Sequence, residues 1–541
     1  MIIDARSLPA DETVQTTVCI VGGGVAGIAL AREFVGRRVP VCILENGGVD
    51  PEPETQSLAA GDNVGLKYFT LETARAFCFG GSSTRWDIDI GNNGLGVRIR
   101  PLDAIDFEKR NEVPFSGWPF DKSQLDPYYE RAQAFCRVEP ADYSTATWAD
   151  PQSARLLPLA GDRLQTVIFK FARRETVLRE RRDEVAQADN VTTYLHAHVL
   201  EIETEENGRT VRRLRAASSD GKQFWVTARV YVVANGGIEA PRLLLLSNKV
   251  RRNGLGNAHD LVGRFFMEHL HFWDGVFVPS SPRLARAAGL YANVHTVNSV
   301  AVIGKLALTE KVLRREKLLN GCLQLIPCAM AKPYVYPSRQ AKSVASLKKL
   351  MGALSHGQVP EECGRHFRTA VGGIDDIIGS GCRRVRHRFG PRTTVFLLAH
   401  MLEQVPNPDS RVTLSSERDR FGQPRARLDW RVTEFDLLSS RRADHILGEE
   451  LQRSGLGQVY SERNGEIPSD LHGGYHHMGT TRMHLDPKQG VVDADCRLHG
   501  VDNLFIAGPS VFPTGGYANP VLTIVALSMR LADHLKQAVG T

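Results

Sequence analysis

Two residues near the C-terminal end of the chain have side chains that can activate an alcohol. His476 lies in a glycine-rich stretch, residues 472–480, and Asn519 follows about forty positions later, directly before a proline. A neutral imidazole is the usual general base near pH 7, and an amide can donate a hydrogen bond to the same alcohol oxygen. His477 is the immediate neighbour of His476, so residue types alone leave open which of the two is the base.

Asn519 has a second possible role, because it precedes Pro520 and an apolar helical pattern. Asn is favoured at helix N-caps and Pro at the first helical position, so Asn519 could cap the helix instead of contacting a substrate. One side-chain oxygen cannot do both freely, although the amide N–H₂ group could still donate. No third residue at ligand spacing makes either histidine a metal ligand.

The N-terminal end carries a glycine turn with the spacing of a dinucleotide site. Gly22, Gly24 and Gly27 stand between a strand-like apolar run and a helical pattern. The first glycine makes a tight turn, the second lets a pyrophosphate approach the backbone, and the third lets the helix pack on the strand. The helix start would bind phosphate through its free amides, those of Val25 and Ala26.

Glu45 ends the next apolar run, residues 39–44, where it would accept hydrogen bonds from ribose hydroxyls. Its charge disfavours a 2′-phosphate, so NADP is not expected. The chain has one such glycine turn, whereas a flavoenzyme that also binds NAD usually has two. The turn by itself leaves FAD and NAD open. A redox cofactor combined with an alcohol-activating pair implies an oxidoreductase.

Two further small-residue segments could contact a cofactor. Residues 80–86, Gly-Gly-Ser-Ser-Thr-Arg-Trp, suit the close approach of a planar ring, or they form a β-turn stabilised by hydroxyl side chains. Residues 234–241 resemble the strand-to-turn segment that closes a nucleotide site, or they are a plain strand end.

Length and composition narrow the class of protein. The 541 residues can bury a large core and predict two lobes, and the net charge of +6 is too small for a dedicated nucleic-acid binder. Nine scattered cysteines without metal-ligand spacing predict a reduced protein with no structural zinc. We find no secretory signal pattern and no apolar run near the roughly 20 residues that span a bilayer, so a cytoplasmic, non-membrane protein is expected.

The chain is organised around a strand-turn-helix-strand unit, residues 17–44, in which both strands read as continuously apolar. Alternation over residues 191–233 predicts a small antiparallel sheet, followed by a helix at about 239–247. The most polar and basic part, near 338–392, is interpreted as an insertion that forms a lid or an oligomer contact. The last helix is predicted over about 520–535.

Several segments in one order along almost the whole chain together resemble the glucose-methanol-choline (GMC) oxidoreductase family. Besides the glycine turn and residues 80–86, they are residues 235–239, 263–269, 406–414, 476–483, 490–493, 503–508 and 519–523. The resemblance is greatest to the branch that contains pyranose oxidases and bacterial glycoside 3-oxidases. Several motifs in a fixed order are more specific than any single motif.

This resemblance implies an α/β protein with two domains. A Rossmann-like, discontinuous FAD-binding domain is expected from residues 1–110, 190–268 and 471–541, and its last part carries the catalytic His and Asn. An α+β substrate domain, built on a six-stranded antiparallel sheet, is expected from residues 111–189 and 269–470, with the basic insertion near 338–392 inside it.

The resemblance also implies the roles of site residues. His476 takes the position of the base and Asn519 the second position, both facing the flavin, while His477 turns away and contacts the flavin through its backbone. The expected cofactor-binding residues are Gly22, Gly24, Val25, Ala26, Gly27, Glu45, Asn46, Arg75, Gly80, Gly81, Ser82, Ser83, Arg85, Trp86, Val199, Ala234, Asn235, Gly236, His477, Gly508, Pro509, Pro520 and Thr523.

Arg85 departs from the pattern of the pyranose-oxidase branch, which often has a histidine there that bonds covalently to the flavin. A guanidinium cannot form that bond, so the resemblance implies non-covalent FAD. Arg85 would instead pair with a flavin phosphate or a carboxylate. The departure also weakens a strict pyranose 2-oxidase assignment.

The implied activity is that of an alcohol oxidase or dehydrogenase, EC 1.1. An alcohol group on a sugar or glycoside loses a hydride to flavin N5 and a proton to His476. A primary alcohol on an aminoglycoside-like or other sugar-derived metabolite is the alternative, for which Asp87, Asp89 and Glu403 could bind a cationic substrate. A non-redox lyase or scaffold is a second alternative. The electron acceptor, oxygen or a quinone-like compound, is left open.

Overall fold

The computed structural model describes residues 1–90, 94–150, 154–330, 393–461 and 467–540. The basic segment near 338–392, interpreted above as an insertion, lies outside the described residues.

The strands alternate with helices in the N-terminal part and dominate the middle of the chain. In chain order they are β1 (Ile2–Asp4), β2 (Thr13–Val21), β3 (Val41–Leu44), β4 (Gly61–Asn63), β5 (Asp87–Asp89), β6 (Leu95–Ile99), β7 (Leu164–Arg173), β8 (Val191–Leu195), β9 (Ala197–Thr204), β10 (Val211–Ser218), β11 (Gln223–Val233), β12 (Leu270–Pro279), β13 (His295–Val297), β14 (Val300–Leu308), β15 (Gly321–Met330), β16 (Thr393–Leu402), β17 (Arg411–Arg418), β18 (Pro424–Asp429), β19 (Gly457–Tyr460) and β20 (Leu504–Ile506).

Two long helices stand out among shorter ones. The α-helices of the described residues are α1 (Val25–Arg32), α2 (Pro53–Gln56), α3 (Leu71–Ala74), α4 (Asp126–Cys136), α5 (Thr145–Trp148), α6 (Arg181–Ala186), α7 (Gly236–Leu246), α8 (Pro282–Ala287), α9 (Gly289–Ala292), α10 (Glu310–Glu316), α11 (Glu434–Arg453) and α12 (Val521–Val539). None of these helices combines the length and apolar character needed to cross a membrane.

The first sheet has the strand order β1-β8-β3-β2-β11-β10-β9, and β20 pairs with the end of β11. Six of these strands run parallel to one another, namely β1, β8, β3, β2, β11 and β20. All four residues of β3 are buried, as expected for a strand covered on both faces. Helix α1 connects β2 to β3 and packs against α12. Residues 191–195 differ from the prediction, because β8 pairs in parallel with β3 instead of starting a separate antiparallel sheet.

The second sheet is antiparallel, with the order β19-β12-β16-β15-β14-β7-β6-β5 and β13 paired to β14. It has nine strands within the described residues, where the family resemblance implies six. The additional strands are short: β5 and β19 lie at the two edges, and β13 pairs beside β14 off the main strand order. A third sheet, β17-β18-β4, joins the early part of the chain to the late part.

Backbone pairing brings the loop that carries His476 onto the second sheet. His271 of β12 exchanges hydrogen bonds with His472, and Met267 does the same with Met478. The loop is therefore held on both sides of His476.

Candidate active site

The two glycine segments predicted from the sequence contact each other directly. The amide of Gly80 donates to the carbonyl of Gly23 at 2.9 Å. A Cβ atom on Gly81 would lie 2.8 Å from the Cα of Gly24, and one on Gly22 would lie 2.7 Å from the Ala234 carbonyl oxygen. Both Gly22 and Gly81 have positive φ values, +109° and +61°. Only glycine fits these positions without displacing backbone.

A large cavity extends from this glycine turn toward the His476 loop and has about 1270 Å³ of empty space, including its opening to solvent. Most of the residues predicted to bind a cofactor line it: Gly22, Gly24, Val25, Ala26, Glu45, Asn46, Arg75, Gly81, Ser82, Ser83, Trp86, Val199, Ala234, Asn235, Gly236, His477, Gly508 and Pro509. Five others do not reach its wall, namely Gly27, Gly80, Arg85, Pro520 and Thr523.

Gly27 and Arg85 have structural contacts instead. A Cβ atom on Gly27 would lie 2.1 Å from the Gly22 carbonyl oxygen, so this glycine permits the helix to pack on the turn. Arg85 ends a 3-10 turn, Gly81–Arg85, and donates to the Thr73 carbonyl at 3.0 Å. Its guanidinium lies outside the cavity wall, which differs from the expected contact with a flavin phosphate.

Glu45 lies on the cavity wall but already accepts two backbone hydrogen bonds. The amides of Gly23 and Gly47 donate to its carboxyl oxygens at 2.8 and 3.0 Å. Burial raises the pKa of Glu45 to about 7, although these amides oppose the shift. The carboxyl group thus holds the glycine turn in place and presents its remaining lone pairs to the cavity.

Two further polar residues line the cavity, one with its side chain paired and one with an unpaired oxygen. The Arg75 guanidinium forms a buried ion pair with Glu239 and donates to the Leu71 carbonyl at 3.1 Å. The side-chain oxygen of Asn235 is buried and has no hydrogen-bond partner among the described residues. Because buried polar atoms are rarely left unpaired, Asn235 marks a place where a ligand would donate.

His476 is held by polar contacts of both its ring nitrogens and its backbone amide. Its Nδ1 lies 2.9 Å from Nδ1 of His269, and its Nε2 lies 3.2 Å from the amide nitrogen of Asn519. Its backbone amide donates to both carboxyl oxygens of Glu268 at 3.0 Å. The predicted pair of His476 and Asn519 is thus in direct contact, with a second imidazole behind it.

The tautomer of His476 follows from the contacts of His269. Nε2 of His269 lies 3.2 Å from the Gly515 carbonyl oxygen, which can only accept, so this nitrogen carries the proton. In neutral His269 the other nitrogen, Nδ1, is then an acceptor, and Nδ1 of His476 must donate to it. Nε2 of His476 keeps its lone pair, as a general base requires.

Burial keeps this group of imidazoles neutral. Desolvation is the main cause that lowers the pKa of His476 well below its usual 6.5, and repulsion from His269 and His271 is a smaller one. Burial lowers the pKa of His269 to about 4 and that of His477 to about 3. At pH 7 His476 is therefore ready to accept a proton.

Asn519 is not the helix cap that its position before Pro520 suggested. Helix α12 begins at Val521 with Pro520 in the cap position, and no side chain caps it. The Asn519 amide nitrogen donates to His476, while its oxygen is buried without a partner among the described residues. The side chain therefore faces the site.

His477 turns away from His476, as the family resemblance implies. Its Nε2 lies 3.0 Å from the hydroxyl of Tyr68, which in turn donates to the buried carboxyl of Glu268. Glu268 also accepts from the Gly474 amide at 2.9 Å, so one carboxyl group holds the loop on both sides of Tyr475. Burial raises the pKa of Glu268 to about 7.

Trp86 connects the second glycine segment to the same loop. Its indole nitrogen donates to the Tyr475 carbonyl at 3.2 Å, and its ring meets that of His476 edge-on with centroids 6.1 Å apart. Trp86 thus closes the cavity beside the base.

The sequence analysis did not identify two residues that contact His476, and one residue that it considered for binding a cationic substrate is excluded. His269 and Glu268 occur in the segment 263–269, but nothing in their spacing indicates contact with His476. Glu403, considered for a cationic substrate, forms a buried ion pair with Arg110 and accepts from the Asn320 amide at 3.0 Å. It is therefore already neutralised. Within the described residues no group of His, Cys, Asp or Glu could hold a metal ion.

Comparisons with known proteins show what this chain is similar to. Residues 406–528 match the family model described as GMC oxidoreductase. The chain is 25% identical to 6'''-hydroxyparomomycin C oxidase of Streptomyces lividus over 96% of this chain and 91% of that protein. It is 34% identical to C-glycoside 3-oxidase of Arthrobacter globiformis over 22% of this chain and 24% of that one.

A solved structure shows the same fold. The structure of Aspergillus oryzae formate oxidase, from work on the FAD modification of that enzyme, superimposes with a TM-score of 0.54 and 18% identity. The match covers 98% of this chain and 99% of the formate oxidase chain. The mixed α/β architecture expected from the sequence, with its parallel and antiparallel sheets, is thereby confirmed.

Proposed function

We propose that the chain is a GMC oxidoreductase, whose family model its residues 406–528 match, and that it uses non-covalent FAD to oxidise an alcohol group of a sugar or glycoside to a carbonyl. The observation that carries the proposal is the contact of the Asn519 amide with the unprotonated Nε2 of a buried His476. His476 and Asn519 do not themselves line the cavity that begins at the glycine turn, but Trp86, whose ring meets that of His476, lines it together with Tyr475 and His477.

The residues that line the cavity fit the groups of FAD that need hydrogen-bond donors and acceptors. The backbone of Gly22 and Gly24 and the amides that start α1 suit a pyrophosphate, which needs close approach and N–H donors. The unpaired oxygen of Asn235 offers an acceptor in the cavity wall. When bound, FAD supplies the hydride acceptor of the reaction. Non-covalent binding is supported by arginine at position 85, which cannot form the histidyl bond of related enzymes.

The protein residues handle the proton. A substrate hydroxyl that enters between the two side chains donates to Nε2 of His476, and its oxygen accepts from the amide of Asn519. The contact of His476 with His269 keeps the accepting nitrogen unprotonated. Such base catalysis contributes on the order of 10²–10⁴-fold to the rate. Burial of His476 excludes water that would compete for the proton.

Two substrate classes remain candidates. A secondary alcohol of a sugar or glycoside is favoured by the resemblance to glycoside oxidases, and C-glycoside 3-oxidase is among the relatives. A primary alcohol on an aminoglycoside-like metabolite is the alternative, because 6'''-hydroxyparomomycin C oxidase is similar over most of its length. A non-redox lyase or scaffold is not favoured, since both His476 and Asn519 are present and in contact. Oxygen or a quinone-like compound would reoxidise the flavin.

Anaerobic mixing of the FAD-loaded protein with a panel of glycosides tests the proposal. We expect flavin absorbance to bleach with at least one glycoside in the wild type, and to stay unbleached in His476→Ala with FAD still bound. Acid precipitation should release the FAD into the supernatant. Equal bleaching by His476→Ala would remove the base from the mechanism, and FAD in the pellet would contradict non-covalent binding.

A further inference from the structure

One face of the antiparallel sheet carries two basic side chains toward the active site. Directly paired residues of antiparallel strands point to the same face. Through such pairs, Arg98 of β6 lies on the same face as Phe171, and Lys305 of β14 lies on the same face as Val167. The same face continues across the neighbouring strands through Ala307, Cys322, Met401 and His271. We call this surface the cationic face.

Two ring contacts show that the cationic face is turned toward the catalytic pair. Phe169, on the same face of β7, packs against Tyr517 with ring centroids 6.1 Å apart, and Tyr517 is two residues from Asn519. The His271 ring lies 6.2 Å from the His476 ring. The face therefore lies next to the catalytic pair, with Tyr517 and His271 between them.

The two cations on this face lie over one aromatic ring and lack an anionic partner. Lys305 is 2% exposed, and its Nζ lies 4.7 Å from the Phe169 centroid. The Arg98 guanidinium carbon lies 5.9 Å from the same centroid, and its Nε is buried without a hydrogen bond. Among the described residues, no carboxylate forms an ion pair with either of them.

Neighbouring cations of the same sheet are compensated. Lys170 donates to the side-chain oxygen of Gln133 at 2.9 Å and to the Val138 carbonyl at 3.0 Å. Arg100 forms an ion pair with Asp103 at 2.8 Å. Lys170 is thus held by neutral acceptors and Arg100 by a carboxylate, whereas Arg98 and Lys305 have neither in the part of the chain that the structure describes.

An uncompensated buried charge is costly, and the cost falls when an anion binds. Burial, with a smaller contribution from repulsion by Arg98, lowers the pKa of Lys305 to about 7. Burial also lowers the pKa of Arg98 to about 10. A bound anion would reverse both effects. A substrate amine would instead add a third positive charge to this face.

We propose that Arg98 and Lys305 form a subsite for an anionic group of the substrate, so that the protein oxidises acidic sugars, those that carry a carboxylate or a phosphate, in preference to neutral or amino sugars. This inference rests on the proposed function. The anionic group binds at the cationic face while a hydroxyl of the same sugar reaches His476. The same charges disfavour aminoglycoside-like substrates.

A matched set of small glycosides tests the subsite in the FAD-loaded protein. The probes are methyl glucoside, methyl glucosiduronate, methyl glucoside 6-phosphate and methyl glucosaminide. Calorimetry gives binding in the oxidised protein, and anaerobic flavin bleaching gives reduction. We expect at least one anionic probe to bind about 10-fold or more tightly than methyl glucoside, with the glucosaminide weakest. The uronate and phosphate arms decide which anion is preferred.

Variants separate the subsite from general charge effects. Lys305→Met and Arg98→Met should each remove most of the preference for the anionic probe and leave binding of methyl glucoside within about 3-fold. Lys311→Met removes an exposed cation, 72% accessible, just beyond β14 and should keep the preference. Loss of binding by all probes equally in Lys305→Met would contradict the subsite.

The wild-type comparison decides the matter even where a variant does not fold. Equal affinity for the neutral and anionic probes, or tighter binding of the glucosaminide, would overturn the subsite whatever the variants do. Anion-selective binding without bleaching by any probe would instead refute the proposed oxidation and leave the subsite standing. The two proposals therefore fail in different ways.

Discussion

His269 and His476 contact each other through their Nδ1 atoms at 2.9 Å, so one imidazole must donate and the other accept. The Gly515 carbonyl behind His269 decides the direction, because it fixes the proton of His269 on Nε2. A backbone carbonyl thus sets the tautomer of the proposed base through an intervening imidazole.

Replacing His269 should slow catalysis without removing the cofactor. His269→Leu leaves Nδ1 of His476 without an acceptor, so the tautomer with a free Nε2 loses its support and flavin reduction should fall about 10²-fold. His269→Gln can accept and donate in the same way and should recover part of the rate. Anaerobic stopped-flow absorbance measures both variants, with FAD content as the folding control. A wild-type rate in His269→Leu would refute the positioning role.

Asn519→Ala should separate the two roles considered for this residue. Loss of an alcohol-binding donor should lower the rate of flavin reduction about 10²-fold. Loss of a helix N-cap would instead cost about 0.5–2 kcal/mol of stability, and the structure shows no such cap. Thermal unfolding at an unchanged temperature, measured beside the rate, is the expected result. A lower unfolding temperature with a normal rate would favour the cap.

The pH dependence of flavin reduction should lack an acid limb near 6.5. His476 acts in its neutral form, and its pKa lies well below the usual value, so lowering the pH from 8 to 6.5 leaves it unprotonated. The rate at saturating substrate should therefore stay constant over this range and fall only at lower pH. Saturation removes any contribution from substrate binding. A rate that halves near pH 6.5 would show that His476 is not shielded.

Gly81→Ala should weaken FAD binding more than backbone strain explains. The new Cβ atom would lie 2.8 Å from the Gly24 Cα and would push the two glycine segments apart. Gly36→Ala is the matched control, since Gly36 has φ +76° with nothing within 4 Å of the added atom. Left-handed strain costs each variant about 1–2 kcal/mol of stability. Fluorescence titration should show a raised FAD dissociation constant for Gly81→Ala alone.

Local spacing was sufficient to predict the parallel unit and the ends of the site. The apolar runs, the glycine turn and Glu45 lie within thirty residues, and each follows a short-range rule of strand, turn and helix packing. No spacing rule joins His476 to Asn519, since the strand β20 and a long turn separate them, so their pairing was proposed from residue types and from the family resemblance. Local spacing does not fix where an element ends, because helix α1 already ends at Arg32, well before β3 begins at Val41.

Contacts between distant segments could not be predicted from the residues. His269 reaches His476 because Met267 and His271 pair with the loop on either side of it, and no sequence pattern records such isolated bridges. Asn519 resembled a cap because the local rule is correct for most Asn-Pro sequences, but the contact with His476 replaced it. Arg98 and Lys305 lie near the same Phe169 ring only because the register of β6, β7 and β14 puts them on one face of the sheet.

The strand β20 completes the parallel sheet late in synthesis. Until Leu504–Ile506 leave the ribosome, the end of β11 presents unpaired backbone groups, and the proposed cofactor cradle has no C-terminal wall. A ribosome adds the intervening residues over roughly ten seconds or longer, during which this edge can pair with another nascent chain. The yield of folded enzyme should therefore rise if a chaperone covers this edge, or if residues 234–506 are translated without a pause.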